Sequence, residues 1–271
     1  MIKLIFTFIL YSLILFGCEI DTINKEKIKK DLFQDVKENK KAVNKDNLYG
    51  KVKVIYESEY SLVENAGKFE KGKLYCNYKY NFDSNGNKIS WVIQNADGSI
   101  YSKSTYKYDK MRNLIEQNRF NGFGILKNKY TYLNDEKGNL KEENLLSANG
   151  NLFYKYTYKY DKNGNRSEQN WFDANGHLKN KCKYRYDKNG NKISCLSFKP
   201  DGSLLYRCSY TYERNGNIIE QNWFNTNEIL ISNSVSKYEF DKNGNWILQK
   251  KNNNFLLGES CIIERVLEYY N

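Results

Sequence analysis

The chain has 271 residues, with 43 Lys and Arg against 32 Asp and Glu for a formal charge of +11, 24 Tyr, one His and one Pro. A single His leaves a Ser-His-Asp triad or a His-based metal site little to draw on. The positive charge favours anionic surroundings such as acidic glycan or anionic lipid.

The first eighteen residues read MIKLIFTFILYSLILFGC. Lys3 is a short basic start, and Leu4 to Gly17 is an apolar run too short for an ordinary membrane span. The stretch resembles a bacterial lipoprotein signal peptide, with Leu15, Gly17 and the acceptor Cys18 in the lipobox pattern. The resemblance implies cleavage before Cys18, lipidation of its sulfur, and attachment to a membrane of the bacterial envelope facing the periplasm or the cell exterior. Acyl chains at about 0.8 kcal/mol per buried CH₂ hold such a protein firmly. An export signal also argues against nucleic acid as a partner, although the charge alone would suit it. Residues 1–17 are thus read as the signal peptide and 18–47 as a charged, lipid-anchored tether. Ile28, Leu32 and Val36 recur there at helical spacing, which predicts a short amphipathic helix.

Residues 48–271 are expected to form a repeat domain. The string YKYDKNGN at Tyr158 returns as YRYDKNGN at Tyr184 and YTYERNGN at Tyr210. Aligned on the turn Gly, seven units stand at Gly86, Arg112, Gly138, Gly164, Gly190, Gly216 and Gly244. The step is 26 residues until the last, which is 28. Each unit has Tyr six residues before that position, Asp or Glu three before, and Asn one after. A fixed period of this kind marks a repeat architecture. A second turn lies midway, at Gly72, Gly98, Gly124, Gly150, Gly176, Gly202 and Glu228, with an aliphatic residue two positions on. Asp-x-Asn-Gly suits a type I turn with Gly in the left-handed region. The predicted fold is therefore all-β: an antiparallel meander of about seven 26-residue hairpins, forming an elongated, twisted or partly rolled sheet. Leu48 to Tyr60 would open it, and Ser260 to Asn271 would supply the closing edge strand.

The turns set a predicted register. Asp161 faces Asn165, and Phe120, Phe172, Phe198 and Phe224 face Leu126, Leu178, Leu204 and Leu230 on a face read as buried. Carried further, this register puts Tyr106, Tyr158 and Tyr210 opposite Glu116, Glu168 and Glu220 on that face. It puts Lys103, Lys129, Lys155, Lys181 and Arg207 on the wet face. Trp91, Trp171 and Trp223 fall there too, with Trp171 opposite Lys155, Trp223 opposite Arg207 and Trp91 opposite Lys79.

The Tyr-Asp pairs Tyr108-Asp109, Tyr160-Asp161 and Tyr186-Asp187, each followed by a turn, resemble the YD repeat of the RHS family over roughly residues 75 to 245. The unit is longer than that family's usual repeat, and seven copies are too few for its large cargo-enclosing shell. The resemblance implies β-meander architecture and, loosely, a cell-surface or carbohydrate-linked role.

Chemistry is sparse. DKNGN begins like a calcium loop, but Arg166 and Phe172 stand where an EF-hand needs Gly and Glu. No metal, cofactor or catalytic residues are assigned, and an enzyme is not expected. Of the cysteines after Cys18, Cys182 and Cys208 lie two strands apart, too far to bridge, and read as small core residues. The best candidate site is the row of Trp91, Trp171 and Trp223 beside Lys155, Lys181 and Arg207. It reads as a stacking platform for an acidic polysaccharide within a non-enzymatic binding scaffold. A protein-partner module and a purely structural envelope protein are the alternatives.

Overall fold

The computed structural model describes residues 48–65, 68–255 and 259–270. The lipobox and the tether with its expected helix lie outside these residues. The described chain forms sixteen strands, opening with β1 (Val52–Asn65), β2 (Lys68–Phe82), β3 (Lys88–Asn95) and β4 (Ile100–Tyr108). The middle strands are β5 (Leu114–Asn121), β6 (Leu126–Asn134), β7 (Leu140–Ser147), β8 (Leu152–Tyr160), β9 (Arg166–Asp173) and β10 (Leu178–Tyr186). The last are β11 (Lys192–Phe198), β12 (Leu204–Tyr212), β13 (Ile218–Phe224), β14 (Leu230–Phe240), β15 (Trp246–Phe255) and β16 (Cys261–Tyr269). Each pairs antiparallel with the next, and β1 pairs with β16, so the sheet is a closed barrel.

Closure corrects the expected open or partly rolled sheet. The segments placed at its two ends are neighbours, with Tyr56 opposite Val266 and Glu57 opposite Arg265. The cause lies in the strand starts. From β3 to β15 the second residue of each strand is extra to the ladder. Tyr160 pairs with Arg166 but Lys159 with Glu168, skipping Ser167, and Phe172 pairs with Leu178 but Trp171 with Asn180, skipping Lys179. A bulge bends its strand and increases the local twist. One per strand curls the meander until its edges meet, which removes both open edges.

The turns match their sequence signature. The Gly164 N–H donates to the Asp161 carbonyl at 3.0 Å and the Asp161 N–H to the Asn165 carbonyl at 2.8 Å, with φ +80° at Gly164. Arg112 and Glu228 adopt the same left-handed conformation at φ 65° and 59°. Gly72 departs from the expected turn column: it lies inside β2, where a Cβ would collide with the Ser61 hydroxyl and Val63. Its role is close approach of two strands at an irregular pairing.

The YD pair has a structural explanation in both residues. Asp161 Oδ1 accepts from the N–H of Asn163 and Asn165, and Oδ2 accepts from the Asn165 side chain at 3.1 Å. The Tyr hydroxyl reaches back one unit: Tyr108 to the Lys88 carbonyl, Tyr160 to that of Leu140 and Tyr212 to that of Lys192, at 2.8–2.9 Å. The acid closes its own turn, and the Tyr ties that turn to the one before.

Candidate functional site

Each bulge reverses the side-chain alternation, since a one-residue slip moves every side chain to the other face. Inside the barrel, Trp171 faces Tyr156 and Asn180, Trp223 faces Cys208 and Ser232, and Trp91 faces Tyr80 and Ser104. Trp223 is 6% exposed, and its ring lies 5.2 Å from that of Tyr206. Trp91 stacks on Tyr80 at 5.9 Å with 6° between planes. Lys155, Lys181 and Arg207 point outward, opposite Phe172, Phe198 and Phe224. The expected pairing of Trp171 with Lys155 and of Trp223 with Arg207 is therefore corrected. The tryptophans and the cations occupy opposite sides of the wall, and no platform joins them.

The interior is aromatic and hydrogen-bonded. The hydroxyls of Tyr132, Tyr158 and Tyr184 donate to Gln117, Glu143 and Gln169 at 2.9–3.0 Å. The carboxylate expected to meet Tyr158 was Glu168, but Glu168 faces Lys159 outside and Glu143, from the neighbouring strand, takes its place. Charged groups lie among these rings, and Arg166 sits over the Tyr158 ring at 4.1 Å. Arg265 donates to Glu57 at 2.6 Å and lies over the Trp246 ring at 3.3 Å, while Lys192 sits over the rings of Tyr184 and Tyr210 at 5.1 and 4.7 Å. Leu48, Val52, Ile55, Tyr80 and Phe82 pack as one apolar cluster with Tyr269 against it. Asn245 exchanges hydrogen bonds with the Tyr49 backbone and donates to the Tyr269 hydroxyl, tying the segment before β1 to that end. Among the described residues no group of three or more His, Cys, Asp or Glu is placed to hold a metal ion.

The outer wall carries the regular polar array. Every strand from β4 to β10 presents a charge there: Lys103, Glu116, Lys129, Glu142, Lys155, Glu168 and Lys181 in turn. Beside each cation in the next strand lies an apolar side chain: Phe120 by Lys103, Leu146 by Lys129, Phe172 by Lys155, Phe198 by Lys181 and Phe224 by Arg207. The Lys155 ammonium lies 5.6 Å from the Phe172 ring and the Arg207 guanidinium 3.9 Å from that of Phe224, both cation–π distances. The repeat thus presents one cation and one apolar side chain every two strands, about 9–10 Å apart along the wall.

Carboxylates temper this array. Lys107 and Lys129 reach Glu116 at 2.8 and 2.7 Å. Hydrogen bonds from Lys107 and Lys129 bring the Glu116 carboxyl down to about 2. At Glu168, burial alone would raise the carboxyl, and hydrogen bonds from Asn170 and Lys159 with the charge of Lys181 outweigh it and lower it. Lys155 lies 3.8 Å from Glu142, and Arg207 meets Glu228 at 2.6 Å. Phe120, Phe172, Phe198 and Phe224, expected on the buried face, belong instead to this surface. Their constant interval from Lys103, Lys155, Lys181 and Arg207 is the signal that links them. Cys18 lies outside the described residues.

No curated protein matches the sequence. Among solved structures, a porin-like protein from Bacteroides uniformis is 12% identical with a TM-score of 0.54, over 82% of this chain and 99% of that one. That likeness speaks to the fold. A porin-like protein from Bacteroides vulgatus is 12% identical with a TM-score of 0.44, over 81% of this chain and 98% of its own. The Tc holotoxin pore of Photorhabdus luminescens is 14% identical with a TM-score of 0.32, over 78% of this chain and 13% of its own. Residues 127–267, just over half of the chain, match the family described as Teneurin YD-shell, and with its repeated Tyr-Asp turns the protein belongs to that family.

Proposed function

We propose that the protein is a non-enzymatic binding scaffold of the bacterial envelope, anchored by lipid at Cys18, whose outer wall takes an acidic polysaccharide. The observation that carries this reading is the outward array of Lys103, Lys129, Lys155, Lys181 and Arg207, each beside an apolar side chain, repeating with the hairpins. A polymer with recurring carboxylates and sugar faces could meet several such pairs at once, whereas a monosaccharide would meet one. The neighbouring glutamates keep each contact weak, so affinity would come from their number.

A barrel crossing a membrane needs an apolar outward band about 25 Å tall. Here Lys, Glu, Asn and Thr stand on the outward side between Phe120, Phe172, Phe198 and Phe224, so the apolar side chains there form no continuous band. This supports a barrel that stands in water and depends on Cys18 for its membrane attachment.

Two experiments test the reading. Binding of the wild type to uronic-acid polysaccharides at low salt should be lost in the triple variant Lys155→Glu, Lys181→Glu, Arg207→Glu, and weakened by salt in the wild type. No binding by a folded wild type to any acidic polymer would leave a protein partner or a purely structural envelope role. For the anchor, Cys18→Ala should abolish fatty-acid labelling and release the protein from membranes. Retained label would overturn it.

A further inference from the structure

The five described cysteines are in no disulfide, yet one pair is placed for one. We infer that Cys195 and Cys208 form a cross-strand disulfide when the chain folds under oxidising conditions. The two are direct partners in the β11–β12 ladder, within a stretch of unbroken register from Ser194–Ser209 to Ser197–Tyr206. Both point into the barrel and are buried, at 1% and 0% exposure. Residues directly opposite in an antiparallel pair have Cα atoms about 4.5–5.5 Å apart. That lies inside the range a disulfide spans, about 4.4–6.8 Å.

The other combinations fail on the same geometry. Cys182 stands opposite Ser197, so it is diagonal to Cys195 by two residues and two strands from Cys208. Those separations are about 7–8 Å and 9–10 Å. Cys76 on β2 and Cys261 on β16 lie on either side of β1, again two strands apart.

The chemistry needs an oxidant, and a small-molecule disulfide such as oxidised glutathione supplies it. One cysteine thiolate attacks that disulfide, giving a mixed disulfide and releasing one glutathione thiolate. The second cysteine thiolate then attacks the protein-bound sulfur, closing the Cys195–Cys208 bond and releasing the other glutathione. The two cysteine thiol protons pass through solvent to the two released glutathione thiolates, so the small disulfide is reduced to two thiols as the protein disulfide forms. Both cysteines belong to one local hairpin, so the exchange occurs while that hairpin is still open to solvent. Barrel closure then shields the bond from reductant. Disulfides persist in extracytoplasmic compartments, but the geometry does not depend on that location.

The test is to refold the full chain in a glutathione redox buffer, block thiols, and digest with trypsin without reduction. Trypsin cuts after Arg207, so Cys195 and Cys208 lie on separate peptides, 193–207 and 208–214. The expected result is that these peptides are recovered joined, lighter than the two reduced peptides by two hydrogen atoms, and that Cys195→Ser abolishes the joined species. In native buffer the bond should resist a reductant that cleaves it in denaturant. Recovery of both peptides fully alkylated, or of Cys208 joined to Cys182, overturns the inference. The Cys195→Ala, Cys208→Ala variant provides a second reading. Its melting temperature should be indifferent to reductant applied in denaturant before refolding, whereas that of the wild type should fall. Equal indifference in both would also overturn it.

Discussion

Trp223→Ala separates a barrel with its tryptophans inside from a sheet with them on the surface. Trp223 is 6% exposed and faces Cys208 and Ser232, with Tyr206 at ring contact. Burying a tryptophan removes roughly 200 Å² from water, worth about 5 kcal/mol at ~25 cal/mol per Å². A compact unfolded chain lowers that by roughly 10–40%. The small side chains opposite cannot expand into the space left, so the cavity cost remains and a loss of about 3–5 kcal/mol is expected. Arg207→Ala, on the outer wall of the neighbouring strand, removes a contact with exposed Glu228 and packing on Phe224. A surface ion pair of this kind is worth about 0.2–1 kcal/mol. Urea unfolding followed by far-UV circular dichroism gives both values without depending on tryptophan emission. A loss below about 1 kcal/mol for Trp223→Ala would refute the inward register.

Gly164→Val should lower the melting temperature more than Lys162→Val, because Gly164 sits at φ +80°, where a β-branched residue is strained by about 1–3 kcal/mol. Arg112→Gly should stabilise by about 1 kcal/mol in thermal unfolding, since Arg112 holds φ 65° without glycine's freedom. Glu116 is held below its ordinary value of 4.5, at about 2, by Lys107 and Lys129. Its depressed folded value makes its stabilisation fully present above pH 4.5 and lost as the pH falls toward 2. The melting-temperature gap between wild type and Glu116→Gln should therefore close over that interval, and a gap that widens there would contradict the ion-pair assignment.

Much of this fold was legible in the sequence. The repeats, the two alternating turns and the capping role of Asp161 follow from Gly, Asn and Asp at fixed offsets, because turn geometry depends on a few local residues. The Phe172–Leu178 pair was legible for the same reason, being one step from its turn. Beyond that step the reading failed, and a single device explains why. Ser167 and Lys179 are ordinary strand residues, and nothing in their chemistry marks them as skipped by the ladder. Once they are skipped, Lys155 meets Phe172 and not Trp171, the tryptophans turn inward, and the candidate surface changes its aromatic partner. The same bulges supply the curl that closes the barrel, so the missed register and the missed closure have one cause. Seen afterwards, the constant interval between Lys155 and Phe172, shared by Lys181 and Phe198, was the available sign.

Closure is the claim on which the rest depends, and a cross-link at the seam tests it most directly. Tyr56 and Val266 are partners across β1 and β16, and both are outward and exposed, at 38% and 65%. In an open sheet of sixteen strands, spaced about 4.8 Å apart, the two edges would lie about 70 Å apart. In the closed barrel the paired Cα atoms are about 4.5–5.5 Å apart. The variant Tyr56→Cys, Val266→Cys should therefore form an intramolecular disulfide under mild oxidation at high dilution. It should do so as readily as Tyr56→Cys, Lys79→Cys, which joins β1 to β2 in either arrangement. Cross-linking of that second pair alone, with the Tyr56–Val266 pair left reduced in folded protein, would contradict the closed barrel.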